Sequence, residues 1–219
     1  AMEPTGTYGD ALRYQLGVRS IAVYRVSNKH VADAAEVFDG SPSKHDSKDA
    51  SVIAWLHAHQ RSKPWLELDL TRRSIRALIA QRELYDRPMR TLITQMEPLL
   101  ARHFPEFEGF FDLSRRKTPY RLLEHFSSPA ALAQAGVPKV TALIKKFSRR
   151  TPEATFVQQL VEAAATTSGT PMVREEIKLI GTMAKEVLRL MELRDAVDVQ
   201  IESASAQVPV IVAMRFLGI

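Results

Sequence analysis

The chain of 219 residues has the length of one large domain or two small ones. Its hydrophobic fraction of 45% and charged fraction of 25% are those of a folded globular protein, which excludes a wholly disordered chain. It contains no cysteine, which excludes disulfides, thiolate metal sites and a cysteine nucleophile. No apolar run approaches the roughly 18–20 residues of a membrane span, and no signal peptide is recognisable. We therefore expect a cytoplasmic protein.

The net charge of +5 is distributed unevenly along the chain. Residues 1–65 carry 8 basic and 7 acidic side chains, and residues 151–219 carry 6 and 9. Residues 66–150 carry 16 basic against 9 acidic side chains, a net charge of +7 that comes mostly from arginine. Such a basic segment is typical of a phosphate-binding surface, although solvated helix faces explain the composition equally well.

The first 65 residues predict one strand between helices. Residues 6–17 predict a short helix closed by Gly17. Ser20–Val26 is rich in β-branched and aromatic residues and predicts a strand, the last one recognisable in the chain. Because no partner strand is recognisable, its edges are expected to pair with a second copy or with a rearranged N-terminus. A helix from about residue 47 to residue 60 follows, with Trp55 expected in the core.

The rest of the chain predicts helices. The first long helix is expected over about 67–103, and Pro88 should kink or break it near Asp86 at a cost of about 3 kcal/mol. Short helices separated by prolines follow. A second long helix is expected over about 172–207, and its apolar repeat suits a short antiparallel pairing with the first.

Two acidic residues stand at the start of a predicted helix, in the segment Lys44-His45-Asp46-Ser47-Lys48-Asp49-Ala50. Asp46 and Asp49 are three residues apart, so that both carboxylates can face one side of the helix. Two carboxylates on one side suit Mg²⁺, which takes oxygen ligands. Acidic residues at this position also cap a helix and complement its dipole, and that alternative stays open.

About forty residues earlier, Glu3 lies in the segment Glu3-Pro4-Thr5-Gly6-Thr7-Tyr8, where a strand is expected to end. In order and spacing, the two segments resemble the insertion-sequence transposases with a RuvC-like Asp-Glu-Asp-Asp domain, the group that includes the pilin-gene inverting recombinases. In that family a Glu-x-Thr-Gly-x-Tyr segment supplies the second acidic residue. A Lys-x-Asp-x-x-Asp-Ala segment supplies the third and fourth, here Asp46 and Asp49.

The resemblance implies a fold and a function. The expected fold class is mainly α, with a partial RuvC-like (RNase-H-like) α/β segment over residues 1–65. A helical, coiled-coil-containing region would occupy 66–207, and 208–219 would start a C-terminal transposase domain. Glu3, Asp46 and Asp49 would be catalytic metal ligands for Mg²⁺. The complete relatives would exchange DNA strands, with a guide RNA and a serine nucleophile.

The family's first acidic residue and its serine are not found in this sequence. We therefore expect a fragment that is inactive alone and binds Mg²⁺ weakly or not at all. The candidate nucleic-acid contacts are all basic and lie before the helix of Asp46, on the first long helix and near Phe147. They are Lys44, Arg72, Arg73, Arg76, Arg82, Arg90, Lys145, Lys146, Arg149 and Arg150. Such contacts would meet phosphates and be insensitive to base sequence.

An alternative of a different class remains open. The chain could be a non-catalytic helical module for self-association or nucleic-acid binding, in which the acidic residues only cap helices. A homo-oligomer formed through the long helices is expected in either case.

Overall fold

A computed structural model describes residues 1–4, 6–39, 45–114, 116–148, 151–206 and 208, without the side chains of Glu36 and Asp39. The described residues are mainly α-helical, with a small two-stranded sheet near the N-terminus. They divide into two compact units, Ala1–Leu68 and the described part of Asp69–Ile219. Within the described ranges, no helix is both long and apolar enough to cross a membrane.

The first unit combines three helices with the sheet. In chain order its elements are α1 (Asp10–Val18), β1 (Tyr24–Arg25), α2 (Asn28–Asp39), α3 (Asp46–Ala58) and β2 (Lys63–Pro64). The helices α2 and α3 pack together over a small core of Val26, Val31, Val52 and Leu56. Most of α2 was not predicted from the sequence.

Both edges of β1 are occupied by segments of the same chain. On one side β1 pairs antiparallel with β2, with Arg25 opposite Lys63. On the other side Met2 forms a parallel bridge to Arg25, and the Met2 N–H donates to the Tyr24 carbonyl at 2.8 Å. The strand is thus shorter than predicted, and a second copy is not needed to cover it. Sequence analysis missed β2 because Lys63–Pro64 has neither β-branched residues nor alternation.

Two other expectations for this unit were wrong. Gly17 does not close α1, because the helix runs on to Val18 and the residue with positive φ is Ser20, at 57°. Trp55 is 42% exposed and contacts the ring of His59 at 4.3 Å between centroids. Helical periodicity predicts which residues share a face, but in a unit this small much of that face stays outside the core.

The second unit is a helical bundle. Its elements are α4 (Leu70–His103), α5 (Phe107–Phe110), α6 (Thr118–Phe126), α7 (Pro129–Phe147), α8 (Ala154–Ala165) and α9 (Arg174–Ser205). The helix α4 continues through Pro88 and Pro98, so the predicted break near Asp86 does not occur. Buried Met89 and Ile93 follow Pro88 on the core face and help to offset the missing helical hydrogen bond. A change of direction does occur in α7, at Gly136 with φ 68° and ψ 170°.

The helices α4 and α9 lie side by side and run antiparallel. Ion pairs join Arg82 to Asp198 and Arg194 to Asp86, so that residue numbers rise along one helix as they fall along the other. At the far end Glu176 of α9 meets Arg102 and His103 of α4. The apolar repeat of α9 consists of Ile177, Ile180, Ala184, Val187 and Met191. The last four are buried in the core of this unit, and Ile177 is half-buried.

A polar joint connects the end of α4 to the loop before α9. The carboxylate of Glu106 accepts hydrogen bonds from the Thr167 hydroxyl at 2.6 Å and the Ser168 N–H at 2.8 Å. Next to it, Gly169 approaches the backbone of His103 so closely that a Cβ there would overlap the His103 carbonyl group. Only glycine fits at this contact without displacing the backbone.

Candidate metal centre and nucleic-acid interface

The acidic pair lies in the first turn of α3. The residue that caps this helix is His45, whose Nδ1 accepts a hydrogen bond from the Lys48 N–H at 3.1 Å. Asp46 is exposed and Asp49 is half-buried, and neither carboxylate bonds to any residue that the structure describes. The two carboxylates complement the helix dipole and remain free to accept a ligand.

Glu3 lies immediately after Met2, the residue that bridges to β1. It is half-buried, and its carboxylate has no partner among the described residues. In the described part of the chain, no three His, Asp or Glu side chains form a group that could hold a metal ion. Glu3, Asp46 and Asp49 are therefore not assembled into a three-ligand site. Lys44 lies outside the described residues.

Three of the predicted arginines lie in the first two turns of α4. Asp69 caps this helix by accepting the Arg72 N–H at 2.8 Å, and its second oxygen lies 3.5 Å from the Arg72 guanidinium. Arg73 and Arg76 are exposed, and their side chains make no hydrogen bond or ion pair with a described residue. These two guanidinium groups are available to an external anion.

Two other predicted arginines on α4 are paired with carboxylates of the same chain. Arg82 donates to Asp198 at 2.6 Å and to Asp86 at 2.9 Å, and these bonds raise the pKa of its guanidinium further. Arg90 pairs with Glu83 at 3.0 Å. Their charges are largely neutralised within the chain, so they have less to offer a phosphate than Arg73 and Arg76.

The second basic patch lies at the end of α7. Lys145 and Lys146 are exposed in its last turn, and Phe147 is 45% exposed. Two cations contact the Phe147 ring: the Lys146 Nζ lies 5.5 Å from the ring centroid and the Arg121 guanidinium carbon 4.7 Å from it. The predicted contacts Arg149 and Arg150 lie outside the described residues.

The structure also brings together basic residues that sequence analysis did not select. Arg25, Arg61, Lys63 and His30 line a cleft of about 420 Å³ in the first unit. They are scattered over almost forty residues of sequence and no motif links them. Only the antiparallel pairing of β1 and β2 would have indicated that Arg25 and Lys63 lie opposite each other.

Comparison with known proteins identifies the family. Residues 1–105 match the sequence model of the DEDD transposases of the IS110 type, described as a transposase. They contain the acidic residues Glu3, Asp46 and Asp49 and the arginines of α4. A curated relative is the "Insertion element IS116 uncharacterized 44.8 kDa protein" of Streptomyces clavuligerus. It is 33% identical over 158 residues, which cover 68% of this chain and 38% of the relative.

These matches define a transposase domain of the DEDD class. The chain belongs, through residues 1–105, to the IS110 family of DEDD transposases. The aligned part spans less than two fifths of the length of the curated relative.

Proposed function

We propose that this chain is part of a DNA transposase and that it binds nucleic acid through the N-terminal half of α4. The observation that carries the proposal is the DEDD transposase match over residues 1–105, which contain both the acidic residues and the unpaired arginines. DNA would be the substrate of the complete protein and a guide RNA a further partner, as expected for the family. A cytoplasmic location also stays a prediction.

The acidic residues Glu3, Asp46 and Asp49 are proposed as the metal ligands. The oxygen donors of Asp46 and Asp49 fit Mg²⁺, which uses one or two protein carboxylates together with water and substrate phosphate. When bound, the ion would stabilise negative charge on the phosphate oxygens. The carboxylates of this chain would hold it at the start of α3, while Glu3 would have to approach them to complete the set.

This incomplete grouping predicts that the chain alone does not cleave DNA. Purified protein incubated with supercoiled plasmid and Mg²⁺ should leave the plasmid intact. Nicking by the unaltered chain that disappears in Asp46→Asn would contradict the prediction, because it would show that a working metal site forms without further ligands.

The arginines are proposed to contact the phosphate backbone. Arg73 and Arg76 have no counter-ion among the described residues. The Arg72 guanidinium has one, the Asp69 carboxylate, at a distance of 3.5 Å. A guanidinium at a helix surface neutralises phosphates regardless of the bases, so binding should be salt-dependent and largely independent of sequence. Lys44, Lys145, Lys146, Arg149 and Arg150 are proposed as further phosphate contacts.

The alternative of a non-catalytic self-association module has less support. It was suggested by the apolar repeat of α9, and four of the five residues of that repeat are buried within the same chain. Exposed apolar side chains do remain on the long helices, namely Leu70, Ile79, Leu84, Leu179 and Val199. A homo-oligomer through these helices stays a prediction, which light scattering after size exclusion would test.

A gel-shift titration tests the proposed function. Changing Arg72, Arg73 and Arg76 together to Ala should weaken binding to duplex DNA. It should also lower the slope of log affinity against log salt by about 2–3, since each phosphate contact contributes about 0.9. A measurement over roughly 50–200 mM salt covers the range in which such contacts dominate.

A matched control removes three cations from another helix. Arg174, Lys178 and Lys185 are exposed on α9, and none of these side chains pairs with a described residue. Their combined change to Ala alters the net charge equally and should leave the salt slope close to that of the unaltered chain. Equal losses in both variants would mean that net charge and not the α4 surface governs binding. No binding at low salt would favour the self-association module.

A further inference from the structure

A cleft in the first unit concentrates positive charge away from the arginines of α4. It has a volume of about 420 Å³ and lies where β1, β2 and the start of α2 meet. The charged side chains that line it are Arg25 of β1, Lys63 of β2 and Arg61, with His30 of α2 beside them. A volume of this size lies within the range of about 300–1,000 Å³ that is typical of small-molecule sites.

Among the residues that the structure describes, the cations of the cleft have no counter-ion. Arg25 and Lys63 are direct cross-strand partners, an arrangement in which like charges destabilise a sheet. The side chains of Arg25, Lys63 and Arg61 make no hydrogen bond or ion pair with a described residue, and no acidic residue is among the described residues that line the cleft. Elsewhere in the same unit Arg13 does have a carboxylate partner, Asp10.

The backbone adds further positive potential. The Val31 N–H donates to the Ser27 carbonyl at 3.0 Å, which makes this the first helical hydrogen bond of the twelve-residue helix α2. The N–H groups of Asn28, Lys29 and His30 precede it and have no acceptor within the helix. Ser27 and Asn28 both line the cleft, so the positive end of the helix dipole lies at its wall.

The arrangement of Arg61 depends on a particular backbone conformation. The Arg61 N–H donates to the Leu56 carbonyl at 2.9 Å, and the preceding residue, Gln60, has a φ of 60°. This turn directs the chain from the end of α3 towards β2 and brings a third cation to the pair formed by Arg25 and Lys63. The cluster is therefore a product of the fold and not of a basic run in the sequence.

We propose that this cleft binds a phosphoryl group. Two guanidinium groups and an ammonium group match the several oxygens and the negative charge of a phosphoryl group better than those of a single carboxylate. A concave surface with charges of one sign also raises the local concentration of the opposite ion. The proposal does not depend on DNA binding by α4, and the group bound is either free phosphate or a phosphate of a nucleic-acid strand.

Binding of inorganic phosphate by the full chain tests the proposal. Calorimetric titration at constant ionic strength, with chloride as the balancing anion, should give saturable binding. Arg61→Gln and Lys63→Gln should each weaken it about tenfold or more, because each removes a charge-assisted hydrogen bond. The matched control is Lys29→Gln, an exposed cation on α2 that does not line the cleft, and it should change the affinity less than about twofold.

The melting temperature distinguishes phosphate binding by Lys63 from a purely structural role of this side chain. Without phosphate, Lys63→Gln should melt at a higher temperature than the unaltered chain, because it removes the repulsion with Arg25. With saturating phosphate it should gain less stability than the unaltered chain. Absence of saturable binding would overturn the proposal, as would equal weakening by Lys29→Gln or lower melting of Lys63→Gln in both buffers.

Competition identifies the source of the phosphoryl group. A short single-stranded oligonucleotide with a 5′-phosphate and its unphosphorylated form are each titrated against bound phosphate. Displacement by the phosphorylated form only supports a nucleic-acid end as the ligand, and displacement by both supports the backbone. If neither displaces it, saturable binding supports free phosphate. If the α4 variants bound DNA as well as the unaltered chain, all of these phosphate-binding results would still stand.

Discussion

At the residue scale, two helix ends in the first unit depend on residues in the left-handed region. Ser20 has a φ of 57° and Gln60 a φ of 60°. In both cases the following N–H donates to a helical carbonyl, Ile21 to Leu16 and Arg61 to Leu56, each at 2.9 Å. This hydrogen-bond pattern normally has glycine at the left-handed position, because a Cβ costs about 1–2 kcal/mol there.

Glycine at these two positions should therefore stabilise the protein. Ser20→Gly and Gln60→Gly are each expected to raise the free energy of unfolding by up to about 1 kcal/mol, after the larger entropy of glycine in the unfolded chain is subtracted. Urea denaturation measures the change. Ser20→Val and Gln60→Val should have the opposite sign, and stabilisation by valine would contradict this account of the helix ends.

Glu106 makes stability depend on pH. Partial burial acts to raise the pKa of its carboxyl, but the hydrogen bonds from the Ser168 N–H, the Thr167 hydroxyl and the Ser168 hydroxyl outweigh it and lower the pKa to about 2. A depressed pKa means that protonation favours the unfolded chain, so this stabilisation is complete above about pH 4.5 and is lost as the pH falls towards 2.

The variant Glu106→Gln should be destabilised by about 1–2 kcal/mol at neutral pH, since it weakens hydrogen bonds to a charged acceptor. Its difference from the unaltered chain should shrink as the pH is lowered below 4.5, the ordinary value. Denaturation curves at several pH values measure this. Glu108→Gln is the control, because Glu108 is exposed and has no partner among the described residues. A pH-independent cost for Glu106→Gln would argue against the charged hydrogen bonds.

At the element scale, the antiparallel pair of α4 and α9 separates the predicted arginines into two groups. Arg82 joins α4 to α9 through Asp198 and also pairs with Asp86 on its own helix, whereas Arg76, less than two turns earlier, is exposed and unpaired among the described residues. From the sequence alone, Arg76 and Arg82 are equivalent arginines on one basic helix. In the structure Arg82 helps to hold the two helices together, and Arg76 remains available to a ligand.

Two single substitutions should separate these roles. Arg82→Gln is expected to lower the free energy of unfolding by about 1 kcal/mol, a modest value because the pair is partly exposed to solvent, and to leave the salt slope of DNA binding unchanged. Arg76→Gln should change stability by less than about 0.5 kcal/mol and lower that slope by about 1. Denaturation and gel shifts on the same preparations give both quantities. The reverse pattern would reject the assignment.

At the scale of the whole molecule, the two units differ in the size of their cores. Among the described residues, the core cluster of the first unit, Ala1–Leu68, has four buried hydrophobic side chains, while the second unit buries faces of its long helices. A core in a domain of fewer than about 70–80 residues rarely supplies more than 3–5 kcal/mol. Large apolar side chains also stay exposed in the first unit, among them Tyr8 at 96% and Val37 at 83%.

The first unit should therefore open more easily than the second. In hydrogen exchange under native conditions, amides of α2 and α3 should exchange with opening free energies at least about 2 kcal/mol below those of buried turns in α4 and α9. If the cleft binds phosphate, saturating phosphate should stabilise the first unit. The difference in opening free energy between the two units should then become smaller. A single opening free energy shared by all these helices would contradict the division into two units of unequal stability.

Much of the helical bundle could be predicted from local sequence. The periodic apolar residues of α4 and α9 predicted ranges of about 67–103 and 172–207, and the helices run over Leu70–His103 and Arg174–Ser205. Helix formation depends on contacts three and four residues apart, which are present in the sequence itself. The family could also be identified, because its two acidic segments are short and continuous.

The sequence by itself thus determined the helical character, the basic middle third and the family. Only the tertiary structure decided which charges are free: Arg82 is neutralised by Asp198, more than a hundred residues away, while Arg76 is not. It also decided that Arg25, Arg61 and Lys63 share one cleft, since a short strand, a helix end and a second strand meet there. Ion pairs and clefts depend on distances between remote residues, and periodicity along the chain contains no such information.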